Sequence, residues 1–201
     1  FIDNAQNATI AMTGLSSTGN GTNGILVQDS TSIITFTDTR ITGAATNGIL
    51  LDSNSGAATG VITFENTFIN LTSATNGIRL VDNTNTSQYL FSDTLINMGA
   101  AGSRGVLLEN TGPTEFTNLR VLTQGTNAIS FASLNPSATQ TITVDGTSQL
   151  TNLSTSQPAI LVDANDVTMT FDTISSAVPQ VVTDIETGDV PDPTTSPNPD
   201  E

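Results

Sequence analysis

Thr22-Asn23-Gly24-Ile25, Thr46-Asn47-Gly48-Ile49 and Thr75-Asn76-Gly77-Ile78 are one tetrapeptide met three times. Weaker echoes follow at Arg104-Gly105-Val106, Thr126-Asn127-Ala128-Ile129 and Pro158-Ala159-Ile160. Between them runs an apolar-x-Phe signature: Ile34-Thr35-Phe36, Ile62-Thr63-Phe64 and Tyr89-Leu90-Phe91. It continues as Thr114-Glu115-Phe116, Ile142-Thr143-Val144 and Met169-Thr170-Phe171. About five residues after the Phe stands a third aliphatic, Ile41, Ile69, Ile96 and Val121, with Leu150 and Ile174 slightly out of step. The three signatures keep one order along the chain, at a repeat of roughly 23–31 residues, the range that marks a solenoid.

Within each repeat the period is two. Ile25 and Val27 alternate with Leu26, and Ile34 and Phe36 with Thr35 and Thr37. β-branched and aromatic residues alternating with Thr, bounded by Asn-Gly, read as short half-buried strands. Good helix formers are sparse. Like segments recurring in the same chain direction stack in parallel, about 4.8 Å apart. The expected fold is therefore all-β, a right-handed parallel β-helix (β-solenoid) of about six coils. The hand follows from the preference of parallel crossovers.

Stacking places Phe36, Phe64, Phe91 and Phe116 in an internal aromatic column that Val144 and Phe171 continue. A second column holds Ile25, Ile49, Ile78, Val106, Ile129 and Ile160. Asn23, Asn47 and Asn76 are expected at the corner in left-handed backbone, with Gly giving room to bend and the amides bonding from rung to rung. Residues 1–177 form the β-helix in this reading. Residues 178–201 form a C-terminal cap and a Pro/Asp/Thr-rich linker. Val181, Val182 and Ile185 cover the last rung, and Pro191, Pro193, Pro197 and Pro199 interrupt any strand. The chain opens on Phe1 without a basic-then-apolar leader, as a processed or excised segment does.

Composition narrows the function. The 201 residues suit one domain. Charged residues are 11%, against about 25% in ordinary domains, and Thr, Ser and Asn fill the deficit. Four Arg, no Lys and a net charge of −15 give no footprint for nucleic acid. No apolar run reaches the ~18 residues that span a bilayer, so no membrane insertion is expected of this segment. Without His or Cys, the usual proton shuttle, zinc ligands, thiol nucleophiles and disulfides are missing.

Three acids on the strand after the Phe column, Asp38, Glu65 and Asp93, are the candidates for glycoside hydrolysis, which needs only two suitably spaced carboxyl groups. Against this, one Tyr and no Trp supply few sugar platforms, and the scattered Arg40, Arg79, Arg104 and Arg120 assemble no lyase centre. No enzyme activity is expected. In the turn after the Phe strand, Asp38, Asn66, Asp93 and Asn118 alternate acid with amide, as an Asx ladder would to separate like charges. The turn after the first strand offers Asp29, Asp52, Asp82, Glu109 and Asp163. Calcium is the cofactor alternative these acids leave open, but neither set matches the EF-hand loop or the nonapeptide calcium repeat, and no cofactor is expected. The outward position after the Phe (Thr37, Glu65, Ser92, Thr117, Asp145, Asp172) is too irregular for an ice-binding Thr lattice. Leu26, Leu50, Leu107 and Leu161, on a column with Arg79 and Ser130, either form an apolar stripe for a partner or lie beneath neighbouring loops.

The turn-Gly-Ile-x-Leu and Ile-Thr-Phe-x-Asn/Asp-Thr strings, over about residues 8–175, resemble the right-handed β-helix regions of bacterial surface proteins, autotransporter-type passengers and large adhesins. They are distantly similar to the Gly-Gly-Ala-Ile and Phe-x-x-Asn repeats of polymorphic outer-membrane proteins, closest at Phe64-Glu65-Asn66-Thr67. The resemblance implies an extracellular, cell-surface stalk or presenting surface, non-enzymatic and anchored elsewhere in its parent chain. Its partners would be a host or neighbouring-cell surface protein or glycan. The alternative is a carbohydrate-binding or carbohydrate-processing β-helix, as in a phage tailspike or glycosidase.

Overall fold

The computed structural model describes residues 1–19, 21–54, 60–83, 87–134, 141–162 and 166–176, the side chains of 166–169 excepted. The expected cap and linker at 178–201 lies outside the described residues, as does Asp163. Eighteen strands and no helix occupy the described chain. They begin with β1 (Ile2–Asp3), β2 (Thr9–Thr13), β3 (Ser16–Thr18), β4 (Asn23–Gln28), β5 (Ile33–Thr42) and β6 (Asn47–Asp52). Next come β7 (Val61–Leu71), β8 (Asn76–Val81), β9 (Gln88–Met98), β10 (Arg104–Glu109), β11 (Thr114–Thr117) and β12 (Arg120–Thr123). The last are β13 (Ile129–Leu134), β14 (Thr141–Asp145), β15 (Gln149–Asn152), β16 (Ile160–Val162), β17 (Asp166–Met169) and β18 (Thr173–Ser176).

Every pairing among them is parallel. The tetrapeptide strands stack as one sheet in the order β1-β4-β6-β8-β10-β13-β16. The other sheet runs from β2 and β3 through β5 and β7 to β9, then onward along β11-β14-β17 and β12-β15-β18. Neighbours in sequence thus sit in different sheets, and a strand pairs with its counterpart one repeat later. The result is a parallel β-solenoid of about six coils.

The columns are present. Met12, Phe36, Phe64, Phe91, Phe116 and Val144 lie in register, each over the next. The four rings stack at centroid separations of 4.5, 5.1 and 4.9 Å, tilted 9°, 3° and 13°, and none is more than 1% exposed. Rung spacing, not ring preference, sets that geometry, since sheet pairing holds each ring about 4.8 Å from the next. The third aliphatic forms an unbroken column Ile41-Ile69-Ile96-Val121-Leu150-Ile174, the two out-of-step members included. Gly146, with φ 67°, absorbs the extra residue before Leu150.

Two positions differ from the sequence expectation, each by two residues. On the fifth coil Phe131, not Ile129, continues the column from Val106 to Ile160, and Ile129 pairs with Arg104. The larger side chain takes the interior, where Phe131 meets Phe116 edge-on at 5.7 Å and 82°. On the sixth coil Met169, not Phe171, pairs with Val144, and half-buried Phe171 packs against the end of the core. Met169 restores the five-residue step to Ile174 that every Phe makes to its own aliphatic in the first four full repeats.

Glycine in the tetrapeptide has a different purpose from bending. None of Gly24, Gly48, Gly77 and Gly105 has a positive φ, and neither do Asn23, Asn47 and Asn76, which lie in extended strand. The constraint is proximity. A Cβ on Gly48 would sit 2.6 Å from Gly77 O and 2.9 Å from Ile69 Cγ2; one on Gly77 would sit 2.5 Å from Gly105 O and 2.6 Å from Ile96 Cγ2. The γ-carbons of Ile41 and Val121 crowd Gly24 and Gly105 in the same way. The third aliphatic column therefore packs directly onto backbone that has no side chain. From the fifth coil this position passes to Ser130 and Ala159, and already from the fourth smaller polar Thr123 and then Asn152 replace Leu71 and Met98 in the facing column.

The asparagine ladder forms as expected: Asn47 Nδ2 donates to Asn23 Oδ1 and Asn76 Nδ2 to Asn47 Oδ1, both at 2.8 Å. Asn47 and Asn76 are buried, so each bond replaces an otherwise costly unpaired amide.

Gly77→Ala should destabilise the fold by at least about 1–3 kcal/mol, because backbone oxygen and a core γ-carbon must both yield. Gly21→Ala, with nothing within 4 Å of the new Cβ, should leave the urea midpoint unchanged or slightly raised. Equal midpoints for the two variants would refute the close-packing explanation.

Candidate functional surface

The corner after the Phe column is built from left-handed residues. Asp38, Asn66, Asp93 and Asn118 have φ of 55°, 53°, 50° and 58°, and Gly14 and Gly146 hold the matching places on the coils before and after. Asp and Asn tolerate this backbone because their short polar side chains bond locally. Asn66 Nδ2 donates to Asp38 Oδ1 at 2.5 Å, and Asn118 Nδ2 to Asp93 Oδ1 at 2.9 Å. Asn118 Oδ1 then accepts from the Thr147 amide and hydroxyl at 2.9 and 3.1 Å. Two of the three acids considered for hydrolysis are thus acceptors in an acid–amide ladder. The third, Glu65, is exposed and accepts from Thr37 Oγ1 at 3.4 Å.

The second acid set separates into two columns. Asp29 and Asp82, with φ of 50° and 52°, share a left-handed position with Ser53 and Asn110. Asp52 and Glu109 end strands β6 and β10, with Val81 between them. Glu109 Oε2 accepts from Arg79 Nε at 2.7 Å, the only ion pair among the described residues. Among those residues, no three acidic side chains gather into a group that could hold a metal.

The leucine column is half-buried at one end and covered at the other. Leu26, Leu50, Arg79 and Leu107 are in register, and Ala132, not Ser130, continues them to Leu161. Leu26 and Leu50 are half-buried. Leu107 and Ala132, at 4% and 0% exposure, form with Ile129 a small second cluster on the outer face, against which Leu134 and Leu161 pack. The outward column after the Phe runs Thr37, Glu65, Ser92, Thr117, Asp145; on the next coil Met169 rather than Phe171 pairs with Val144, so Asp172 is not the residue that follows the column position there.

Sequence reading passed over two features. On the outer face of the second sheet, Arg40, Phe68, Leu95 and Arg120 align across four coils, with the Arg40 guanidinium 4.4 Å from the Phe68 centroid. Phe68 stands four residues after the columnar Phe64 and reads as a stray aromatic until the register is known. The other feature is a buried polar seam. Asn54 Oδ1 accepts from the Ser30 amide at 3.0 Å, Asn83 Oδ1 accepts from the Asn54 amide at 2.9 Å, and Asn83 Nδ2 donates to Leu51 O at 2.9 Å. The fully buried Tyr89 hydroxyl donates to Asn54 O at 3.0 Å. In a chain so rich in Asn, composition alone does not separate these buried amides from surface ones.

Compared with known proteins, the chain matches no family model, no curated protein and no solved structure at a significant level.

Burial pushes the Tyr89 pKa well above its ordinary 10.0, the contact with Ser87 acting weakly in the other direction. The unfolded chain therefore releases this proton at lower pH than the folded one. The contribution of Tyr89 to stability is complete below pH 10.0 and declines as pH rises beyond it, by up to about 1.4 kcal/mol per pH unit. Tyr89 is the only Tyr, and the chain has neither Lys nor Cys, so tyrosinate absorbance and alkaline urea titrations report it without overlap. In Tyr89→Phe the slope of stability against pH should vanish over this range.

Proposed function

We propose that this chain is a non-enzymatic segment of an extracellular, cell-surface β-helix of the adhesin or autotransporter-passenger kind, working as a stalk and presenting surface. The observation that carries the reading is the continuity of the internal columns from first coil to last, which makes the segment a rod rather than a wall around a cleft. Each coil adds about 4.8 Å, so about six coils extend the rod by about 29 Å. Its sides offer contact chemistry: half-buried Leu26 and Leu50 on one sheet, and Arg40, Phe68, Leu95 and Arg120 on the other.

The acids support the same reading. Asp38 and Asp93 accept hydrogen bonds from amides of the adjacent coils, which suits neutralising charge along a corner. A net charge of −15 discourages adsorption to anionic polymers and favours solubility outside the cell. The partner in this reading is a surface protein or glycan of a host or neighbouring cell.

Two assays test it together. Beads coated with the chain should adhere to cells, and Leu26→Lys with Leu50→Lys should lower adhesion at least about tenfold, equivalent to about 1.4 kcal/mol, while the melting midpoint holds. Across a panel of polysaccharides, the chain should release no oligosaccharide. Depolymerisation that disappears in Asp38→Asn, Glu65→Gln or Asp93→Asn would establish the carbohydrate-processing alternative instead.

A further inference from the structure

Beyond the left-handed corner the second sheet presents a face of its own. Its outward residues form two columns, one through Arg40, Phe68, Leu95 and Arg120, the other through Thr42, Asn70 and Asn97. Buried Ile41, Ile69 and Ile96 alternate between them. Arg40 and Arg120 are exposed, and Phe68 and Leu95 are half-buried.

Charge sets this face apart. Neither column holds an acidic residue, from Ser16 to Thr173 in the first or from Thr18 to Ser175 in the second. The columns before the corner carry Glu65, Glu115 and Asp145, and the first sheet carries Asp52 and Glu109. In a chain of 19 acids and four basic residues, two of the Arg thus share one acid-free strip. The only ion pair among the described residues joins Arg79 to Glu109, so none of them neutralises Arg40 or Arg120. Asp38 and Asp93, two residues before Arg40 and Leu95, stand at the corner, where they already accept hydrogen bonds from Asn66 and Asn118.

The strip has a definite geometry. Arg40 and Arg120 are three rungs apart, about 14 Å. The Arg40 guanidinium lies 4.4 Å from the Phe68 centroid. That contact holds its plane and leaves the N–H groups at its edge for a planar anion. It also occupies one face of the ring, so Phe68 orients the cation and is no sugar platform. Between the two cations Leu95 offers an apolar step. Asn70 and Asn97 offer amide donors and acceptors about 7 Å to the side.

An extended ligand with carboxylates at intervals and hydroxyls along its length matches this order of groups. An acidic polysaccharide has both, and each pyranose of an extended uronate chain advances by close to one rung. An acidic peptide supplies the carboxylates but not the hydroxyls that Thr42, Asn70 and Asn97 would bond.

We propose that the face formed by Arg40, Phe68, Leu95 and Arg120 binds an acidic oligosaccharide, a uronate chain of about four sugars along the rod axis, one per rung, with carboxylates on the two Arg. Charges beyond about 8 Å are screened at physiological salt, so a ligand lying here meets the two Arg more strongly than the acids of the other faces. The proposal rests on the presenting-surface reading and adds the chemistry of the partner.

Calorimetric titration of the chain with tetragalacturonate at about 20 mM salt, where screening is weak, should give saturable binding. The Kd should be about 1 mM or tighter, and neutral cellotetraose should bind at least about tenfold more weakly. Arg40→Gln and Arg120→Gln should each weaken tetragalacturonate at least about fivefold, with melting midpoints unchanged. Arg40→Lys should not restore full binding, because an ammonium lacks the planar fork. Arg79→Gln, on the other sheet, should bind as the unmodified chain does. If Arg40→Gln fails to fold, Arg120→Gln decides. No saturation up to about 10 mM, equal binding of cellotetraose, undiminished binding by Arg120→Gln, or equal binding of tetraglutamate, which would make the ligand an acidic peptide, would each overturn the proposal. A chain that adheres to cells through Leu26 and Leu50 but ignores the uronate would lose this inference and keep the presenting-surface reading. Uronate binding through the two Arg, with adhesion to no cell, would do the reverse.

Discussion

Where each of the first four repeats enters its first strand, at Gly24, Gly48, Gly77 and Gly105, the backbone of one rung runs so near both the next rung and a core γ-carbon that no β-carbon fits between them. Gly48 and Gly77 lie against Ile69 and Ile96 on one side and the carbonyl of the following glycine on the other. This approach joins the two sheets across the corner and fixes the phase of one against the other. Once that phase is set, period-two alternation decides which residues face inward, and stacking carries the choice from coil to coil. The aromatic column, the aliphatic columns and the asparagine ladder all share that registration.

The interior is not uniformly apolar, and the polar parts lie where turns pass beneath strands. Asn23, Asn47 and Asn76 bond along the axis, and Ser30, Asn54 and Asn83 tie the end of each first strand to the next coil. Near the C-terminal end, Asn152 Nδ2 reaches the carbonyls of Ala128, Gln157 and Pro158, while Thr123 and Ser130 share a hydroxyl contact at 2.9 Å. A solenoid core is thin, so turn backbone lies close to it and needs partners there. Amide side chains, with both donors and acceptors, supply these at a spacing that matches the rung.

Much of the fold was legible because the repeat is written in residues that few alternatives replace. Gly with Ile or Val, and Phe with Ile, Tyr or Thr two before it, survive across four coils. Strand direction follows from their constant order. Register failed in two places for an identifiable reason: the echo at Thr126-Asn127 lacks the Gly, and the last Phe is displaced from its column. In the first, volume decided the outcome, with Phe131 drawn into the interior; in the second, spacing did, with Met169 keeping the five-residue step to Ile174. The left-handed corners went to the Asp/Asn positions two residues after the Phe and to the position after the first strand, rather than to Asn23, Asn47 and Asn76. Asn-Gly looks like a turn in sequence, whereas here the Asn is needed for its amide and the Gly for its missing side chain. The candidate surface was less legible. An outward Leu in a strand looks the same whether half-buried like Leu26 or covered like Leu107, and only the packing around it separates the two cases.

The account stands on parallel coils advancing by one strand spacing, and spin-label distances read that advance directly. Labels placed at outward positions of one column, Thr35 with Glu115 and Thr35 with Thr143, lie three and four rungs apart. Pulsed dipolar spectroscopy on magnetically diluted samples should give narrow distributions near about 14 Å and about 19 Å, one increment of about 4.8 Å separating them. Equal distances for the two pairs, or broad distributions without that increment, would contradict the stacking on which the whole structure depends.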